Sequence, residues 1–322
     1  MIKACRSVLG DGVPLDPREV FIRDPGSLEG TFPTMADRCK MDTSPISEKV
    51  RQIAEKELRE TPELVKESLA KLRELIKADG KIKINSDDDN LMIIFLRPCK
   101  YYPESALELI KRTLKFKEDN GSLLNGLQPE TEKEAMLTSD VVNVLVDRDQ
   151  NGRRVLINKC GATWDPKKVN TDQIFRIFYL VHLAAMLEPE SQVAGVVVIL
   201  DFEGLGMKQV SGFSPTFSMR LLNFIQEAMP LRLKEVHIVK QPFLFNMVWT
   251  MFKPLVRAKL KGRLFFHGDK MSSLHKHMDP NYLPADYGGK LPKINYTAAD
   301  WFPEIEKCRK HIADWDTFKL EK

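Results

Sequence analysis

The sequence predicts an α/β fold, a mainly parallel sheet flanked by helices and preceded by a small all-α domain. Two observations carry this. A helical period runs from about Ser47 to residue 135, and from Val141 onward strand-like and helix-like stretches alternate. The chain of 322 residues is 43 % hydrophobic and 29 % charged, ordinary values for a protein that buries a core. That length sets an expectation of about two domains.

The elements follow in order. Residues 1–43 carry Gly, Pro and Asp at short intervals with no sustained period, and read as a disordered leader. Thr61 and Pro62 form a cap and first-turn proline, after which Val65, Leu69, Leu72 and Ile76 recur at helical spacing until Gly80. Ser86 opens a second helix through Asp87, Asp88 and Asp89, acids that suit a helix N-terminus. Pro103 and Glu104 start a third, with Ala106, Leu109, Ile110 and Phe116 on one side. Beyond Val141, two strand-like runs flank Arg148–Gly152, a hairpin signal. A helix is expected from a Thr171 cap, a strand over Gly195–Asp201, and a helix from Ser214 and Pro215. A strand over Glu235–Lys240, a helical stretch from Phe243 to about Lys261 and a strand over Arg263–His267 complete the series.

Composition also excludes. A net charge of +4, with no aromatic-basic motif, argues against a nucleic-acid partner. Five widely spaced cysteines with no C-x-x-C pair read as reduced thiols and a cytoplasmic location. No signal peptide is recognisable. The longest apolar run, Ile174–Leu187, is interrupted by Arg176 and His182 and is too short to span a bilayer, so membrane contact would be peripheral and reversible.

The search for catalytic chemistry finds little. After the run Gly195–Leu200 stand Gly204 and Gly206, but Gln209 occupies the third-glycine position of a dinucleotide fingerprint, so no cofactor is expected. His267, His275 and His277 match no zinc spacing and read as surface or helix-capping residues, so no metal is expected. Asp201 and Glu203 could form an acid–base pair, but turn formation explains them more simply. No enzyme is expected.

Two apolar segments stand out. Phe217, Leu221, Phe224, Ile225 and Ala228 form a stripe at helical spacing, which an ordinary core face also shows. Phe243–Phe252 is apolar nearly all round, the mark of a segment that is buried or partitions into something greasy. Residues 231–263 hold eight basic side chains against one acid, a local charge of +7, which suits an anionic membrane or a merely solvated face.

The chain also resembles a known family. LRLKEVHIVKQP (231–242), FKP (252–254), FHG (266–268), SLHKH (273–277) and LPADYGG (283–289) resemble the CRAL-TRIO lipid-binding domain. DRDQNGRRVL (147–156), WDP (164–166) and LDFEGL (200–205) fit it too, and DNLMIIFLRPCK (89–100) resembles the helical domain that precedes it. The likeness covers about residues 45–300 and leans to the α-tocopherol-transfer, cellular retinaldehyde-binding and clavesin branch, in a form common in insects. It implies a helical domain over 44–135, a CRAL-TRIO lipid-binding domain over 136–300 and a tail over 301–322.

The resemblance further implies a pocket that takes a hydrophobic small molecule: a retinoid, tocopherol, carotenoid or similar isoprenoid. By motif alignment its wall falls on Phe175, Phe178, His182, Val196, Leu200, Phe213, Leu221, Phe224, Ile225, Leu231, Leu233 and Val236. Phe178 and His182 replace small hydroxyl residues of the tocopherol carrier. A mobile lid falls on Phe243, Phe245, Val248, Trp249 and Phe252, and a phosphoinositide-binding cleft on Arg232, Lys234, Lys259 and Arg263. Arg220 stands where yeast phosphatidylinositol/phosphatidylcholine transfer proteins have an acid, which argues against internal exchange of phosphatidylinositol, although Lys253 keeps their lysine. Release at phosphoinositide membranes is the implied function, with a clavesin-type membrane-trafficking adaptor as the alternative.

Overall fold

The computed structural model describes residues 36–321. The expected leader therefore lies outside the described residues up to position 35. Its remainder is not disordered: Ala36–Arg38 form a 3-10 turn and Cys39 is buried. The Met41 N–H donates to Glu304 (3.1 Å) and the Asp42 N–H to Glu188 (3.0 Å). Periodicity cannot reveal a segment held by backbone bonds to distant carboxylates.

Four helices build the first layer: α1 Glu48–Leu58, α2 Pro62–Asp79, α3 Asp89–Leu96 and α4 Pro103–Asp119. Thr61 caps α2 by accepting from the Leu64 N–H (3.3 Å), and Gly80 ends it at φ +72°, a conformation cheap only for glycine. Asp88 rather than Ser86 caps α3, accepting from the N–H groups of Asn90 (2.9 Å) and Leu91 (3.2 Å). Arg97, just beyond α3, grips Glu60 (2.7 Å) and Gln192 (2.6 Å) and so joins this layer to the rest.

The expected boundary at residue 300 falls inside a helix. α8 (Ala298–Lys307) and α9 (Arg309–Thr317) replace the expected tail and bury Trp301, Phe302, Ile305, Ile312 and Trp315. Trp315 stacks on Phe95 of α3 with ring centres 5.7 Å apart, and Lys117 of α4 donates to the Phe318 carbonyl (2.9 Å). Lys319–Leu320 then pairs antiparallel with Ile82–Lys83. The boundary expected at 135/136 likewise falls within a helix, Lys133–Thr138.

The main sheet has five strands in sequential order: β1 Val142–Val144, β2 Arg154–Lys159, β3 Val196–Asp201, β4 Leu233–Val239 and β5 Leu264–Gly268. The β1–β2 pair is the expected hairpin and the other three pairs are parallel. Three helices lie on its front: α5 Thr171–Ala185, α6 Pro215–Asn223 and α7 Phe245–Phe252. Asn170, not Thr171, caps α5 through a reciprocal pair of 3.0 Å bonds with Gln173. The single helical stretch expected from Phe243 to Lys261 is broken. After α7 come a 3-10 turn at Lys253–Leu255, an extended Val256, and one turn at Ala258–Lys261. Pro254 supplies no N–H to continue the α-helix.

Side chains alternate across each strand. Val155, Ile157, Val197, Ile199 and Val239 point back and are sealed by Leu274, Met278, Leu283 and Tyr287. Of the histidines expected as surface or helix-capping residues, His267 is buried in this back, while His275 and His277 are half-buried beside it. His267 is 6 % exposed, with Nε2 3.0 Å from His237 Nδ1 and Nδ1 2.9 Å from Ser273 Oγ. His275 Nε2 meets the Tyr287 carbonyl at 3.0 Å, while His277 stands beside Glu235, itself held by Arg153 (2.9 Å). His237 pairs with Phe265 across β4 and β5, so His267, two positions further along the same face, comes within reach although it lies 30 positions away. Among the described residues Cys99, Cys160 and Cys308 form no disulfide.

Burial pushes the His267 imidazole down to about 4 and also lowers that of His237. Unfolded histidine takes its proton near 6.5, so as pH falls from 6.5 towards 4 the unfolded state gains protons that the folded state refuses. Stability is therefore fully present above about pH 6.5 and declines below it, by at most about 1.4 kcal/mol per pH unit for each such histidine. Denaturant titrations at stepped pH should show this decline, with a shallower slope in His237→Phe. A flat profile between pH 6.5 and 4 would contradict the neutral pair.

Candidate functional site

On the front of the sheet the apolar side chains do not close up. They enclose a cavity of about 120 Å³ between the sheet and α5, α6 and α7. Its floor is Val198 and Leu200 of β3, Leu233, Val236 and Ile238 of β4, and Leu264 of β5. Ile174, Phe175, Phe178 and His182 of α5 form one wall, because positions spaced three and four apart share a helix face. Phe213, Phe217, Leu221 and Leu222 form another, with Ile225 from the π-turn Phe224–Ala228 that ends α6.

Nine of the twelve expected wall residues line this cavity, and three do not. Val196 borders a second, smaller cavity of about 40 Å³ with Arg154, Glu188 and Trp301. Phe224 is 1 % exposed and backs the wall, packing on Tyr179 (5.1 Å) and His182 (5.7 Å). Leu231, at the start of β4's approach, is buried without reaching the cavity. A helical stripe selects both the lining residues and the layer behind them, so spacing alone could not separate Phe224 from Ile225.

Asn158, Cys160, Trp164 and Phe202 also line the cavity and were not expected. Asn158 follows Leu156 by two on β2 and so shares its face, a signal that period-two reading contains once the inward face is fixed. Trp164 enters from a loop, held by its indole N–H donating to the Val169 carbonyl (2.8 Å). Among the described residues, no side chain lining the cavity is acidic, lysine or arginine. His182 is kept neutral by burial, its imidazole pushed down to about 4 with Nδ1 2.6 Å from the Phe178 carbonyl. Burial pushes the Cys160 thiol up to about 12.

α7 closes the cavity with Phe245, Val248, Trp249 and Phe252. Phe245 meets Phe202 at 4.7 Å and Trp249 meets Phe266 at 5.1 Å between ring centres. Phe243, expected in the same set, turns outward instead and is 88 % exposed. Met247 of this helix and Phe266 of β5 are also exposed.

The four basic positions divide. Arg232 and Lys234 both contact one carboxylate, Glu57 of α1, with Lys234 at 3.1 Å, and Arg232 also donates to the Val193 carbonyl. Arg263 donates to the Leu233 carbonyl, and burial together with the Arg232 charge lowers its pKa from the usual guanidinium value. Lys259 is exposed on the turn Ala258–Lys261 and forms no ion pair among the described residues. Burial pushes the Glu57 carboxyl up, but the bonds from Arg232 and Lys234 outweigh this and hold it below the usual range. Nothing in the sequence marked Glu57, whose position depends on α1 packing Val50, Ala54 and Leu58 on Val193.

Asp201 and Glu203 lie outside the cavity lining. Asp201 accepts from the Glu203 N–H (2.9 Å), and Lys240 pairs with both at 3.4 and 2.7 Å. Arg220 is held by Asp172 (2.5 Å) and Asn120 (3.1 Å). Among the described residues no group of three His, Cys, Asp or Glu side chains could hold a metal, and no helix is long and apolar enough to cross a membrane.

Comparison with known proteins agrees with this geometry. "Clavesin-1" of Mus musculus is 28 % identical over 247 residues, 76 % of this chain and 69 % of that protein. "Alpha-tocopherol transfer protein-like" of Mus musculus is 29 % identical over 248 residues, 77 % of this chain and 71 % of that protein. "Clavesin-2" of Homo sapiens is 28 % identical over 259 residues, 80 % of this chain and 78 % of that protein. The solved "Crystal structure of Sfh5" covers 84 % of this chain and 99 % of its own at 15 % identity, with a TM-score of 0.45, too loose a likeness to argue from. Residues 138–289, which hold all five strands and the three helices around the cavity, match the family described as "CRAL/TRIO domain", so this segment of the chain is a CRAL/TRIO domain.

Proposed function

We propose that this protein is a non-catalytic carrier that encloses one hydrophobic small molecule and releases it at phosphoinositide-bearing membranes. The observation that carries the reading is the enclosed apolar cavity under α7. Burying roughly 300–400 Å² of ligand at about 25 cal/mol per Å² supplies several kcal/mol, enough for useful affinity after association costs. Retinoids, tocopherols, carotenoids and similar isoprenoids have the required apolar surface. The carrier would work in the cytoplasm and meet membranes only peripherally and reversibly.

The lid's outer face gives the membrane step its physics. Phe243, Met247 and Phe266 are exposed apolar groups, and Lys253, Arg257, Lys259 and Lys261 are exposed cations on the segment that follows α7. Each cation near an anionic surface adds about 1 kcal/mol of attraction. In this reading Glu57 holds Arg232 and Lys234 until a phosphoinositide phosphate displaces it. A vestigial pocket is the competing reading, favoured by the modest 120 Å³ volume, and would make the protein a phosphoinositide-reading trafficking adaptor.

Native mass spectrometry with organic extraction, on protein from its own tissue, separates the two. One co-purifying isoprenoid per chain supports the carrier, whereas an empty protein that still binds phosphoinositide supports the adaptor. The double charge reversal Lys259→Glu, Arg263→Glu should slow ligand transfer to phosphoinositide vesicles at least tenfold while sparing uptake from detergent. Transfer at the wild-type rate would remove these residues from the release step. Glu57→Gln should act oppositely, tightening vesicle binding by about fivefold, on the order of 1 kcal/mol, by freeing two cations. Weaker vesicle binding in Glu57→Gln would show that the carboxylate organises the cleft rather than occupying it.

A further inference from the structure

Apart from two tryptophans, the cavity lining has three polar side chains: Asn158, Cys160 and His182. Asn158 lies on β2 with Val142 opposite it on one side and Leu200 on the other, so its backbone joins the ladder but its side chain has no polar strand neighbour. It is 9 % exposed, and its Oδ1 is sealed from water with no hydrogen-bond partner. Leaving an amide unpaired in an apolar interior is unfavourable, and packing would be served as well by leucine of similar volume.

His182 adds a second polar group to the lining. Its Nδ1 lies 2.6 Å from the Phe178 carbonyl, an acceptor only, so Nδ1 carries the proton and donates. Burial keeps the ring neutral, which leaves Nε2 as a bare acceptor, and the residue lines both cavities. The cavity therefore presents an amide that can donate or accept and an imidazole nitrogen that can only accept.

Candidate polar ends for the cargo can be ranked by these atoms. A carboxylate would bring a charge into a cavity whose lining has no cationic side chain. An aldehyde or ester carbonyl can accept from the Asn158 amide but offers nothing to His182. A hydrocarbon satisfies neither. A hydroxyl accepts from the amide N–H and donates to either Nε2 of His182 or Oδ1 of Asn158. We infer that the cargo is an alcohol or phenol, its hydroxyl held by the Asn158 amide and His182 while its hydrocarbon body fills the cavity. This rests on the carrier reading above and selects among the ligand classes that reading allows.

The test uses the full, delipidated chain and two matched ligand sets, one linear C20 isoprenoid and one ring-bearing retinoid. Each set comprises the alcohol, the aldehyde and the hydrocarbon. Trp164 and Trp249 line the cavity, so quenching of their fluorescence reports occupancy. In the set that fits, the alcohol should bind about tenfold more tightly than the hydrocarbon, a difference of about 1.4 kcal/mol, with the aldehyde between them. Asn158→Leu should erase most of that preference, and His182→Phe should bring the alcohol down to the aldehyde's affinity. Equal binding of alcohol and hydrocarbon by the wild-type protein overturns the inference while leaving the carrier intact. A preference that survives in both variants also overturns it. Failure of every ligand to bind removes the carrier reading and this inference with it.

Discussion

The constraint on which the structure depends is that a parallel sheet must be covered on both faces. Its strands are joined by crossovers that lay chain on either side, so side chains pointing both ways need apolar partners. This protein meets the demand unequally. The back is closed tightly by Leu274, Met278, Leu283 and Tyr287, whereas the front is covered by α5, α6 and α7 at a distance that leaves space. Native interiors are packed to crystal-like density, so an apolar void of this size costs dispersion contacts along its whole lining. In the proposed carrier, the cavity maintained at that cost under the short helix α7 is where the cargo would sit.

Charge is arranged by the same asymmetry. β4 supplies Leu233, Val236 and Ile238 to the cavity floor, while Arg232 and Lys234 at its beginning reach Glu57 on α1. Apolar floor and basic cleft are thus consecutive parts of one strand. A phosphate approaching Arg232 would have to outcompete Glu57, a carboxylate on a helix that packs on Val193 through Val50, Ala54 and Leu58. The same Arg232 donates to the Val193 carbonyl, so the cation, its competing acid and the helix that presents the acid form one small assembly.

How much was legible in the sequence depended on the range of the interaction involved. Caps and stops at Thr61, Gly80 and Ser214 were readable because the partner is three or four residues away. The alternating pattern carried the sheet, and nine of the wall residues named from the family likeness lie around the cavity. Interactions that close over long separations were not legible. Met41 on Glu304, Trp315 on Phe95 and His267 on His237 each depend on how distant elements dock. The histidines illustrate the failure well: their linear spacing said nothing, whereas the pairing of His237 with Phe265 across two strands sets His267 beside His237. Phe224 and Phe243 mark another limit, since period and hydropathy fix a face but not whether a residue fronts the cavity, backs it or turns out to solvent.

The break after α7 is where these features meet. An unbroken helix from Phe243 to Lys261 would be a single rigid element with its apolar and basic halves fixed in one line. Pro254 and the extended Val256 divide it, so that α7 covers the cavity while the turn Ala258–Lys261 presents Lys259 and Lys261 outward. Val256 and Leu260 remain on the cavity lining, which anchors the basic turn to the apolar interior. A pull on that turn by an anionic surface is therefore applied to side chains that help close the cavity, without rewinding any long helix. Exposed Phe243 at the other end of α7 gives the lid a second point of contact with an apolar phase. In the proposed carrier, opening would need only the exchange of Phe245, Val248, Trp249 and Phe252 between one greasy environment and another, a transfer with little net hydrophobic cost.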